Sequence, residues 1–244
     1  VSARAFTHFP SSSPLQGEGG GRRRSTLLRL EPLPLEGGGA GEGVDAAPSA
    51  CAKIPIVRTE ATAHAPASVG NVAVGFDILG HAFGVIGDCV RAERAEVPGV
   101  RIRGVSGVVE DLPLEPARNT AGQAVLSLTQ AAQPAFGIEL SIEKGIPLGS
   151  GLGGSAASAV AAVVAANALL DSPLVEIDLL PHAIAGEAVA SGARHADNIA
   201  PALFGGLVLT VGIDNPRVKQ IPVPPSVRCV LLHPRMFLST RQAR

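Results

Sequence analysis

The sequence predicts an α+β fold. Apolar strand-like runs and alanine-rich helical runs alternate without the regular βα repeat that a parallel doubly wound sheet would show. A glycine loop, Ile146-Pro-Leu-Gly-Ser-Gly-Leu-Gly-Gly-Ser-Ala-Ala-Ser158, feeds directly into one of the helices. The 244 residues are 46% hydrophobic, mostly Ala, Val, Leu and Ile, which is enough for a sizeable core and for one or two domains.

Residues 1–53 stand apart. They are rich in Gly, Pro, Ser and Arg, with a rough internal echo between Pro14-Leu-Gln-Gly-Glu-Gly-Gly-Gly21 and Pro34-Leu-Glu-Gly-Gly-Gly39. Such a stretch cannot bury enough apolar surface to offset its ordering entropy, so a disordered leader is expected. Arg22-Arg-Arg24 has no apolar segment after it and does not read as a targeting signal. Translation from an upstream start is the favoured account of this leader, and a functional disordered tail is the second.

Regular structure is expected from Ile54. Val57–His64 reads as a strand, and Ala65–Asn71 as a loop. Val72–Gly80 is apolar and broken by glycine. Ile86–Glu96 and Val100–Val105 read as strands around a Pro98-Gly99 turn. Thr120–Gln133 has helical spacing, with Ala124, Leu126, Leu128 and Ala131 on its apolar positions. Ile138–Lys144 alternates polar and apolar residues, as a half-exposed strand does. Ser155–Leu170 is half alanine and lacks Pro and Gly, so helix is its local reading. Pro173 ends that segment, and Leu174–Ser191 is a further helix in which Pro181 marks a start or a break. Gly205–Val211 and Val227–His233 read as strands. The chain stops at Arg244 after a polar turn, as a fragment of a longer chain would.

Composition excludes several function classes. A net charge of −1, without a long basic block, argues against nucleic acid as partner. With no Trp or Tyr and only 7 Phe, the composition argues against stacking on exposed aromatics as a binding mode. Cys51, Cys89 and Cys229 are odd in number, far apart and match no zinc spacing, so a reduced, cytoplasmic protein is the default. No apolar run is bulky enough to read as a membrane span.

The glycine loop carries the chemistry. Glycines let backbone N–H groups approach an anion, and the helix start adds unpaired donors and a partial positive charge. Gly149, Gly151 and Gly154 fit the dinucleotide pattern G-x-G-x-x-G, with Asp171 beyond. That fold needs a second apolar strand before the acid, and the alanine-rich helix leaves no room for one. A Walker loop is excluded because no Lys-Ser/Thr pair follows the glycines. The bland alternative is a glycine turn capping a core helix.

Two further motifs agree with the loop in order and spacing. They are Ala65-Pro-Ala-Ser-Val-Gly-Asn-Val-Ala-Val-Gly-Phe-Asp-Ile-Leu-Gly80 and His195-Ala-Asp-Asn-Ile-Ala-Pro-Ala-Leu-Phe-Gly-Gly206. With Pro147–Ala157, and with Leu238-Ser-Thr-Arg-Gln-Ala-Arg244 as a fourth segment, they resemble the GHMP kinase superfamily, most closely its homoserine-phosphorylating members. The likeness covers about 57–244. It implies a GHMP kinase fold whose amino-terminal domain, residues 54–200, resembles the second domain of ribosomal protein S5. Residues 201–244 would then begin an incomplete carboxyl-terminal α+β domain.

The resemblance also implies the chemistry. ATP and L-homoserine would give ADP and O-phospho-L-homoserine, in threonine biosynthesis, with Mg²⁺ as cofactor and a homodimer as one arrangement. A sister kinase for a mevalonate-like alcohol is the alternative, and a non-catalytic nucleotide-binding fragment is another. Pro147, Leu148, Gly149, Ser150, Gly151, Leu152, Gly153, Gly154, Ser155, Ala156 and Ala157 would form the ATP loop. Ser155 and Glu187 would hold Mg²⁺, which prefers hard oxygen ligands. Asn71 and Asp77 would accept the amino group of homoserine, with His195 beside the substrate. Arg244 would fork onto its carboxylate. Asp197 would act as general base or Asn198 would orient the hydroxyl or γ-phosphate, a choice the residues leave open, and Thr240 would lie near the transferred phosphate. Gly154 stands where the family usually has serine, a change that keeps the backbone donor.

Overall fold

Alternating burial along the strands sets a sheet with one dry face and one wet one. The computed structural model describes residues 27–29, 58–72, 74–192, 194–212 and 215–231. Its strands are Leu27–Arg29 (β1), Glu60–Val69 (β2), Leu79–Ala95 (β3), Val100–Gly107 (β4), Gly137–Lys144 (β5), Leu207–Val211 (β6) and Arg217–Ile221 (β7). They form one mixed sheet in the order β1-β2-β3-β5-β4, with β6 on the start of β3 and β7 on β6. The helices are Thr120–Ala132 (α1), Gly154–Asn167 (α2), Glu176–Ser191 (α3) and Ile199–Phe204 (α4). Apart from β1, which runs parallel to Thr62–His64, the expected leader lies outside the described residues.

Ala61, Ala63, Ala65 and Ala67 point every second residue of β2 into the core, with Val90 and Ala92 of β3 and Ile138, Leu140 and Ile142 of β5 beside them. The opposite face is solvated and carries a ladder of ion pairs. Arg103 reaches Glu93 at 2.9 Å and Glu139 at 2.8 Å, and Arg91 reaches Glu60 and Glu93. Such exposed pairs are each worth about 0–1 kcal/mol, so the dry face dominates stability.

That face is covered by α2, whose burial is nearly complete: 11 of its 14 residues are buried. A helix apolar all round belongs in an interior, and alanine lets it lie close to the sheet and to its neighbours. The closeness is extreme at Gly186 of α3, where a Cβ would clash with the Thr120 carbonyl and come within 2.9 Å of Ala124 and 3.1 Å of Ala159. Asn119 caps α1 by accepting from the Ala121 and Gly122 amides at 3.0 and 3.4 Å.

The strands and helices read from sequence recur, with four differences. The motif expected as a loop from Ala65 continues as strand to Val69, because β3 supplies a pairing edge through a bulge between Pro66 and Ala67. Pro181 sits inside a continuous α3; the carbonyl it leaves unbonded belongs to Ile177, which is exposed and open to water. Elements β1, α4 and β7 are additional, β1 lying within the leader expected to be disordered. Residues 227–231 of the expected strand 227–233 form none and are exposed, and the described residues offer them no apolar face to cover.

Candidate active site

At the end of β5 the chain enters the glycine loop. Gly149, Gly151 and Gly153 take left-handed φ angles of 63°, 70° and 65°, alternating with ordinary residues. Such alternation curls successive amides toward one side, a concavity suited to an anion. Gly153 is the N-cap of α2 and has no side chain to cap the first amides of that helix. A buried fourteen-residue helix thus points its positive end at the loop. A Cβ on Gly151 would meet nothing within 4 Å, so this side of the loop is open.

Two other segments close on the loop. The Ser68 amide donates to the Leu152 carbonyl at 3.0 Å. The buried Ser68 hydroxyl donates to Asn198 Oδ1 at 3.1 Å. A Cβ on Gly153 would collide with Ser68 Oγ and sit 3.1 Å from Asn198 Oδ1, so glycine is required by contact as well as by φ. Gly70 is packed on Asp197 and Asn198 in the same way, and Gly80 on the Asp197 carbonyl. The three motifs, far apart in sequence, therefore meet at one end of the sheet.

The tip between β2 and β3 is a compact loop. Asn71 Oδ1 accepts the Asp77 amide at 2.7 Å, and both residues have left-handed φ, near 59° and 60°. Asn and Asp tolerate that region better than other side chains. The bond brings together the two residues expected to receive an amino group. Asp77 Oδ1 lies 3.7 Å from His195 Nδ1, with side chains 30% and 21% exposed, a pairing that becomes ionic when the imidazole is protonated. Phe76 and Ile78 flank this acid with exposed apolar surface. Asp197 is buried and Asn198 is half-buried at the start of α4.

Ser155 stands in the first turn of α2 and Glu187 on α3, both half-buried. Ala159, one turn after Ser155 on the same face of α2, abuts Gly186, the neighbour of Glu187. A hydroxyl and a carboxylate brought to this helix pair fit Mg²⁺ in donor chemistry. Among the described residues no group of three or more His, Cys, Asp and Glu is placed to hold a metal ion. Magnesium commonly takes few protein ligands and keeps water and phosphate oxygens. Thr240 and Arg244 lie outside the described residues.

Sequence reasoning missed the buried support of the loop. Asp88, Lys144 and Ser158 are all buried beneath it and bonded to one another. The signal was available: Asp88 is an acid within an apolar strand, as Asp77 is within its apolar run.

Residues 119–206 match the family described as GHMP kinases N terminal domain. The chain is 52% identical over 185 residues to a homoserine kinase from Xylella fastidiosa, covering 76% of this chain and 56% of that protein. It is 54% identical over 193 residues to a homoserine kinase from Xanthomonas campestris pv. campestris, covering 78% and 59%. The crystal structure of a homoserine kinase from Cytophaga hutchinsonii superposes with a TM-score of 0.65 at 43% identity, over 68% of this chain and 53% of that one. A mevalonate diphosphate decarboxylase from Legionella pneumophila shares the fold at a TM-score of 0.51 and 15% identity. The chain thus spans little more than half the length of the relatives it matches.

Proposed function

We propose that this chain is the nucleotide-binding part of a GHMP kinase, and that the whole protein phosphorylates L-homoserine. The γ-phosphoryl group of ATP passes to the side-chain hydroxyl, giving ADP and O-phospho-L-homoserine, a step on the route to threonine. The observation that carries this reading is the meeting of the loop 149–155 with Ser68 and Asn198, and of Asp77 with His195, at one end of the sheet. Relatives named homoserine kinase at 52% and 54% identity support the substrate. Residues 54–200 are the ATP-binding domain in this reading, and 201–244 open the second.

Phosphoryl transfer asks mainly for positioning and charge stabilisation. The loop amides and the α2 N-terminus hold the phosphates. Asp77, with the loop ordered by Asn71, accepts the substrate ammonium, and its carboxylate charge favours an amino alcohol over a neutral one. Asn198 is the better placed of the two adjoining polar residues: its Oδ1 is held by Ser68 beside Gly153, which leaves its Nδ2 donors to align the hydroxyl or γ-phosphate. Asp197, buried under Gly70, is the alternative as proton acceptor. Ser155 and Glu187 would hold Mg²⁺, which neutralises phosphate charge when bound. No helix among the described residues is long and apolar enough to cross a membrane, and the reading places the protein in the cytoplasm.

The test is ³¹P NMR of the whole protein incubated with ATP, Mg²⁺ and either L-homoserine or mevalonate. O-phosphohomoserine as the product supports the reading. Phosphomevalonate, or ADP release without a phosphorylated alcohol, overturns it.

A further inference from the structure

Beneath the loop lies an ion pair that the proposed chemistry does not use. Asp88 on β3 and Lys144 at the end of β5 have side chains only 0% and 2% exposed. Their bonds divide neatly. Asp88 Oδ1 accepts the amides of Gly145 and Ile146 at 3.0 and 3.1 Å, where the chain enters the loop. Asp88 Oδ2 accepts from Lys144 Nζ and, at 2.7 Å, from the Ser158 hydroxyl. Lys144 uses its other two protons on the Gly154 carbonyl and Ser158 Oγ, both at 2.8 Å, where the loop becomes α2.

A buried pair of charges is poor evidence of stability, since desolvation consumes much of the attraction. Apolar residues of similar volume would join strand to helix as well. They would not hold the Gly145 and Ile146 amides at one end of the loop and the Gly154 carbonyl at the other. We infer that Asp88, Lys144 and Ser158 are positioning residues for nucleotide binding: together they staple both ends of 147–153, fixing the direction of amides that receive phosphate. This rests on the loop being the phosphate site.

The experiment compares the whole protein with its Ser158→Ala and Asp88→Asn variants in steady-state kinetics with ATP and homoserine, alongside thermal melts. Ser158→Ala removes one hydroxyl from the staple and keeps the helix. It is expected to raise KM for ATP about five- to tenfold, the worth of one to two hydrogen bonds, with KM for homoserine unchanged. Ser158→Thr, which keeps the hydroxyl, is expected to restore most of the ATP affinity. A purely structural role would lower the active fraction, and hence kcat and the melting temperature, without moving KM for ATP. That result for Ser158→Ala overturns the inference, whether or not Asp88→Asn folds. If the unaltered protein itself shows no saturable use of ATP, the loop assignment fails instead.

Discussion

The Ser68 hydroxyl donates to Asn198 Oδ1 at 3.1 Å, across 130 residues of sequence. The bond fixes which end of the Asn198 carboxamide faces Gly153, with the Nδ2 end against Gly70, and so orients the group proposed to align the hydroxyl or γ-phosphate. Ser68→Ala is therefore expected to lower kcat several-fold with KM for ATP little changed, and to cost about 1–2 kcal/mol in stability. Steady-state kinetics and urea denaturation check both halves. Loss of stability with kcat intact would mean that Ser68 only packs.

Gly151 and Gly153 share a left-handed backbone but differ in surroundings. Gly151→Ala meets open space and bears only the conformational penalty of about 1–2 kcal/mol. Gly153→Ala adds a collision with Ser68 Oγ, and Gly153→Val is expected to abolish nucleotide binding. Denaturation midpoints should separate the two alanine variants, with the Gly153 variant lower. Coincident curves would show that the neighbours give way without cost.

Asp77 stands 3.7 Å from His195 in a loop ordered by Asn71. Asp77→Asn keeps the shape and removes the charge. It is expected to raise KM for homoserine by about tenfold or more, the worth of a charge-assisted hydrogen bond, with KM for ATP within about twofold. Equal losses in both constants would remove Asp77 from the substrate site.

His182 on α3 lies 2.8 Å from the Ser127 hydroxyl of α1, and its pKa is lowered, chiefly by burial, with Asp178 pulling weakly the other way. A histidine whose pKa falls on folding takes up protons more readily when unfolded. Its contribution is thus present above the unfolded value of about 6.5 and is lost as pH falls through it toward the folded value. His81 is lowered by burial and acts in the same sense. Glu176, raised by burial, acts in the opposite sense at more acid pH. The urea midpoint should drop between about pH 7.5 and about pH 5.5, and His182→Gln should flatten part of that drop. A slope identical in the variant would remove His182 as a cause.

Local pattern made much of this fold readable. The alternation in 138–144, the alanine run into α2 and the glycine loop each depend on neighbours in sequence, and each recurs in the structure. The short helix Ile199–Phe204 and strand Arg217–Ile221 depend on packing partners, α2 for one and β6 for the other, and were not readable locally. Within the site, the motif segments were singled out by their resemblance to one family, and the fold brings three of them together. For the staple of Asp88, Lys144 and Ser158 the sequence offered one signal, an acid within an apolar strand; its partners join it only when folding brings strand, strand and helix to one point. The strand expected over 227–233 failed across its described part for the converse reason: its apolar residues have nothing to cover them among the described residues.

The most direct measurement is a crystal structure of the whole protein with a non-hydrolysable ATP analogue. The account predicts the β- and γ-phosphates against the amides of 149–155, at the start of α2 and within reach of Asn198. A nucleotide bound elsewhere, with this turn empty, would contradict it.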